Sequence, residues 1–116
     1  MITKGIRGAI TVDDNSAKAI ENAVVKLLQV MIKENDIDKN KISHAIFTTT
    51  TDLNADFPAK YARINLGWDD VAMMCSHELD VPESLKMCLR ILIVYNCEEN
   101  FKPKFIYLQG AANLRK

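Results

Sequence analysis

The residues best able to do chemistry are concentrated between Cys75 and Val94, in CSHELDVPESLKMCLRILIV. A thiol and a carboxylate, Cys75 and Glu78, open this stretch three residues apart. A turn-forming segment from Asp80 to Ser84 follows, and then an apolar run from Leu89 to Tyr95 that a single charge, Arg90, interrupts. A guanidinium at that position is costly to bury unless an anion pairs with it. Arg90 is therefore read as the residue around which a site is organised, with a small anion as its partner.

Arginine is used sparingly. Of 15 basic residues 11 are lysine, and the four arginines are Arg7, Arg63, Arg90 and Arg115. Lysine is a hydrated point charge, whereas arginine offers a planar fork suited to carboxylates. Two readings stay open here: a general scarcity of arginine, or its reservation for recognition. If the arginines converge with Lys60, Glu78, Cys75 and Tyr107, the result is several cations around one carboxylate. There is no Ser-His-Asp set, no zinc-type ligand spacing, no phosphate-cradling glycine loop and no nucleotide fingerprint. His44 reads as a structural or surface residue, and His77 neighbours the proposed site without an evident base partner. Such a set would bind a small polyanion with no cofactor and no metal. Any reaction would rest on restraint of the substrate and on electrostatic stabilisation.

The elements that must position these residues follow from periodicity. Residues 2–12 alternate as a strand, with Ile2, Ile6, Ile10 and Val12 on one face and Arg7 and Ala9 on the other. Gly5 and Gly8 flank Arg7, and glycine inside a strand marks close approach of another backbone or of a ligand. Asp13 to Ser16 is a helix start. The helix runs to about Asn35 with Ile20, Val24, Leu27 and Met31 on its core face. Residues 42–49 form a second strand, and Thr48 to Asp56 a polar loop. Pro58 opens a short helix that carries Lys60 and Arg63 and stops at Gly67. Trp68 to Cys75 is expected as a third strand, with Met73 and Met74 packing as core residues. Ser84 to Met87 is expected as a helical turn. Residues 88–96, apolar on both faces, give a central fourth strand. Residues 105–108 give a fifth, before the tail GAANLRK. The pattern is α/β (α+β), with one long helix over one face of a mixed sheet.

A chain of 116 residues forms one domain with a shallow core, so a cleft could require a second subunit to close it. Charge is balanced at 15 acidic and 15 basic residues, which leaves no footprint for nucleic acid. No stretch is apolar enough to span a membrane, and the start, MITKG, lacks a signal-peptide core. Three cysteines, Cys75, Cys88 and Cys97, are an odd set suited to free thiols in a reducing cytoplasm.

Four segments together carry a resemblance: GIRGAITV, FPAKYARINLGW, the run C-x-x-E-L-D-V…SLKMCLRIL, and IYLQGAANLR. Over nearly its whole length the chain resembles the small monofunctional chorismate mutases of the AroH class. The resemblance implies a homotrimer of pseudo-α/β-barrel fold with active sites between subunits. It also implies the Claisen rearrangement of chorismate to prephenate, which leads to phenylalanine and tyrosine. Arg90 would donate to the breaking ether oxygen and touch a substrate carboxylate. Glu78 and the Cys75 region would hold the ring hydroxyl, and Arg7 and Tyr107 would clasp the enolpyruvyl side. Phe57, Ala59, Lys60 and Arg63 would come from the adjacent subunit, with Met73 and Met74 also at the substrate. Leu114 and Arg115 would lie in the tail that covers the entrance.

The chain departs from the family pattern in three places. Met73-Met74 replaces an expected Val-Thr, which removes a hydroxyl. Pro82-Glu83-Ser84 replaces a glycine-containing turn before Arg90. The sequence stops one residue after Arg115, so no long tail is expected as a lid. Two other readings stand beside the mutase: an imine or enamine deaminase of the Rid type, and a non-catalytic carboxylate-binding trimer.

Overall fold

A computed structural model describes residues 1–114. The first strand, β1 (Ile2–Thr11), leads to helix α1 (Ala17–Asn35), then β2 (Ile42–Thr49), helix α2 (Pro58–Leu66), β3 (Ala72–His77), β4 (Cys88–Cys97) and β5 (Ile106–Leu108). Single 3-10 turns precede β2 and follow β5. The strands form one five-stranded sheet in the order β3-β2-β4-β1-β5. β4 lies in its middle, antiparallel to both β1 and β2, while β3 and β5 add parallel strands at the edges.

Local signals bound both helices. Ser16 caps α1 by accepting the Ala19 N–H at 3.1 Å. Asp36 closes it in a left-handed conformation, φ 50°, with its N–H on the carbonyls of Ile32 and Lys33. α2 starts at Pro58 and ends at Gly67, whose φ of 70° suits a residue without Cβ. α1 buries Ile20, Ala23, Val24, Leu27, Leu28 and Met31 against Ile6, Ile10, Phe47, Leu89, Ile91 and Ile93 of the sheet. Each fully buried Leu or Ile contributes about 1.5–3 kcal/mol to holding that face down. At Gly8 an added Cβ would collide with the sulfur of Met31. The close neighbour of this glycine is thus the helix, on the side of β1 opposite Arg7.

Three local expectations are revised. The long helix is joined on the same side of the sheet by α2, which packs on α1. The third strand begins at Ala72, later than expected. Trp68, 2% exposed, is instead a plug after α2, its N–H reaching back to the Ala62 carbonyl and its own carbonyl accepting the Val71 N–H. Ser84–Met87 forms no helical turn. Glu83 and Met87 take positive φ values of 67° and 50°, which interrupt any run of helical dihedrals.

Candidate active site

The helices cover one face of the sheet, and the candidate residues gather on the other. Strand alternation on β4 turns Leu89, Ile91 and Ile93 toward the helices, so Cys88, Arg90 and Leu92 face away from them. Arg90 stands opposite Ala9 on β1 and opposite Thr48 on β2. Ala9 in turn pairs with Tyr107 on β5, and Arg7 with Leu92. The small side chain of Ala9 therefore leaves Arg90 and Tyr107 facing one another across β1. The resulting groove, about 260 Å³, is lined by Arg7, Ala9, Ile46, Thr48, Glu78, Arg90, Leu92 and Tyr107.

Glu78 enters this groove from the end of β3. Its N–H bonds the Thr49 carbonyl at 2.9 Å, and its carboxylate accepts the hydroxyl of Thr48. Oε1 lies 4.0 Å from Nε of Arg90, with the two side chains 27% and 35% exposed. At that exposure the pair adds little stability; its effect is to orient the guanidinium. Arg90 Nε and the Tyr107 hydroxyl are both buried without a hydrogen-bond partner among the described residues. Both side chains line the groove, and donors left without a hydrogen-bond partner there fit an oxygen-rich ligand. Arg7 is exposed at the rim, its guanidinium 5.9 Å from the centre of the Phe105 ring. Behind Arg90, burial pushes the Cys88 thiol up, against the opposing pull of the guanidinium. Cys88 packs with Ala9 and Ala111, and Tyr107 and Leu114 lie against that cluster. Leu114 thus shares a cluster with Ala9 and Tyr107 of the groove, while Arg115 lies outside the described residues.

The remaining candidates stand apart. Met73 and Cys75 pair with Ala45 and Phe47, so their side chains share the helix-facing side of the sheet, away from Arg90. Burial pushes the Cys75 thiol up, against a smaller opposing pull from the Ala59 N–H. Cys75 and Phe57 line a second groove of about 370 Å³ with Leu53, Asp56, Pro58 and His77. Phe57 and Met74 are each 70% exposed at the β3 edge of the molecule. Lys60 and Arg63 are exposed on α2. Lys60 pairs with Asp56 at 3.1 Å, and the Tyr61 hydroxyl donates to the same carboxylate at 2.6 Å. These contacts, with the Tyr61 bond foremost, hold Asp56 at a pKa of about 2, and the carboxylate raises Tyr61 to about 12.

The sequence comparison decides what this arrangement belongs to. A family model described as chorismate mutase type I matches residues 3–116. The chain belongs to the type I chorismate mutase family. It is 36% identical to chorismate mutase AroH of Thermus thermophilus, with 98% of this chain and 94% of that one covered. It is 33% identical to chorismate mutase AroH of Bacillus subtilis strain 168, with 99% and 91% covered. A solved structure of chorismate mutase from Clostridium thermocellum superposes with a TM-score of 0.88 at 44% identity, covering 93% of this chain and 96% of that one.

For a chorismate mutase the division of candidates into two groups is informative. Arg7, Glu78, Arg90 and Tyr107 form an open half-groove with one wall. Phe57, Ala59 and Cys75 form an edge whose neighbouring cation, Lys60, is already paired with Asp56. The sequence alone does not assign Thr48 and Ala9 to the groove, because only strand register places them beside Arg90. Among the described residues, no group of three His, Cys, Asp or Glu stands together to hold a metal ion, and no helix is long and apolar enough to cross a membrane.

Proposed function

We propose that this family member catalyses the rearrangement of chorismate to prephenate, with Arg90 at the breaking ether oxygen. One observation carries the reading: Arg90, whose buried Nε makes no hydrogen bond among the described residues, lines a groove shared with Arg7, Glu78 and Tyr107. The rearrangement is unimolecular and pericyclic. One carbon–oxygen bond breaks as one carbon–carbon bond forms, with no proton transferred and no covalent enzyme intermediate. The protein has two tasks. It must hold the diaxial conformer that brings the two joining carbons together, and it must match the negative charge that grows on the ether oxygen.

Arg90 performs the second task. A guanidinium fixed between Thr48 and Ala9 and steered by Glu78 meets charge that exists mainly in the transition state. By comparison with an oxyanion-hole donor, its contribution is about 3–4 kcal/mol, or about 10²–10³ in rate. Glu78 receives the ring hydroxyl and favours the electron-poor ring. Arg7 and Tyr107 hold the enolpyruvyl carboxylate, and Leu114 lies toward the entrance.

The missing wall comes from a second copy of the chain, in a homotrimer with sites between subunits. The exposed Phe57 and Met74, together with the open groove, support this. Phe57, Ala59, Lys60, Arg63, Met73, Met74 and Cys75 then arrive as one unit from the neighbouring subunit. Cys75 belongs with this unit because it shares a groove with Phe57. The test is direct: the protein is mixed with chorismate and the loss of chorismate absorbance followed, with prephenate identified as the product. Binding without turnover would sink the proposal.

A further inference from the structure

The run Thr48-Thr49-Thr50-Thr51-Asp52 leads from β2 into the following loop, and beyond Thr48 it has no place in the chemistry above. Its contacts fall on the two ends of one segment. Residues 79–86 connect Glu78 to the strand that carries Arg90. At the near end, Thr48 and Thr49 hold the side chain and the N–H of Glu78. At the far end, Thr50 N–H bonds the Cys88 carbonyl at 3.0 Å, and the Thr50 hydroxyl accepts the Cys88 N–H at 3.0 Å. The same hydroxyl donates to Asp52 at 2.5 Å. The Asp52 carboxylate accepts the Met87 N–H with both oxygens, at 3.2 and 3.1 Å.

Met87 is the residue that requires this. Its φ of 50° is a left-handed conformation that a side chain rarely adopts. Such backbone persists where the surroundings fix it. Met87 is also tied on its other side, its carbonyl accepting the Val12 N–H at 2.7 Å. Arg90 follows three residues later, and the alternation of β4 carries any change in backbone direction at Met87 to its guanidinium.

We infer that Asp52 and Thr50 are positioning residues for Arg90, holding Met87 left-handed so that β4 starts in the register that aims the guanidinium into the groove. The inference rests on the catalytic reading of Arg90. It is tested by steady-state kinetics on the full-length protein. Asp52→Ala lowers kcat by about tenfold to 10²-fold with a smaller change in KM, the range expected when a reacting group is displaced by about 1 Å. Adding Met87→Gly restores most of that loss, because glycine takes positive φ without strain. In an Arg90→Ala background, Asp52→Ala lowers kcat no further. Should Asp52→Ala fail to fold, Thr50→Val, which removes the hydroxyl's bonds to the Cys88 N–H and to Asp52 and leaves the backbone bond in place, gives a kcat loss in the same direction. Wild-type kcat in either folded variant overturns the inference, as does a loss that Met87→Gly leaves untouched. If Arg90→Ala itself keeps near-normal turnover, the catalytic reading fails instead, so the two failures are distinct.

Discussion

Arg90 and Thr48 face one another across β4 and β2, and the Thr48 hydroxyl is bonded to the carboxylate that lies 4.0 Å from Arg90 Nε. The guanidinium is thus oriented through a strand neighbour as well as by direct attraction. A site that works by charge placement depends on such fixing, since a side chain free to rotate stabilises ground and transition states alike.

Arg90→Lys keeps the fold and lowers kcat by about 10²–10³. A lysine fits the half-buried strand position but presents one rotating ammonium in place of a planar fork. Circular dichroism with a chorismate assay checks both halves, and near-normal turnover would end the assignment of Arg90.

Arg90→Ala and Arg63→Ala chains, each inactive alone, regain activity when unfolded and refolded together. In a shared-site trimer, roughly a quarter of the sites in a random mixture take both native residues from different chains. Mixing that never recovers turnover would show that each site is built within one chain.

Gly8→Ala destabilises the protein by about 1–3 kcal/mol through overpacking, because the new methyl group meets the Met31 sulfur. Thermal unfolding reads the loss. In a Met31→Ala background the same Gly8→Ala change costs less, because the sulfur it would meet is gone, and an unchanged Tm in the single variant contradicts the packing described.

Tyr61→Phe changes the pH dependence of stability at both extremes. Asp56 is depressed in the fold from 3.8 to about 2, so its contribution is present above pH 3.8 and lost as pH falls toward 2. Tyr61 is raised from 10 to about 12, so its contribution is present below pH 10 and lost as pH rises toward 12. The advantage of the wild type over Tyr61→Phe is therefore full between those limits and shrinks outside them. Urea unfolding across pH measures it, and a difference that does not vary with pH is the contrary result.

The sequence by itself determined much of this molecule. The Ser16 cap, the Pro58 start and the Gly67 stop are short-range chemistry, and α1 and α2 lie where those signals put them. The apolar run around Arg90 marked both a central strand and a charge in need of a reason. Four segments sufficed for the family resemblance, which full-length identity of 33–36% to two chorismate mutases then matched. The third strand was misplaced because Trp68 has high β propensity yet is buried after a helix, and propensity does not record burial. The strand order β3-β2-β4-β1-β5 was decided only in three dimensions. Alternation fixes which residues of one strand share a face, but strand order and register depend on distant segments burying their apolar faces together. That long-range choice sets Arg90 between Ala9 and Thr48, turns the Cys75 thiol to the far side of the sheet, and makes Met87 left-handed under Asp52.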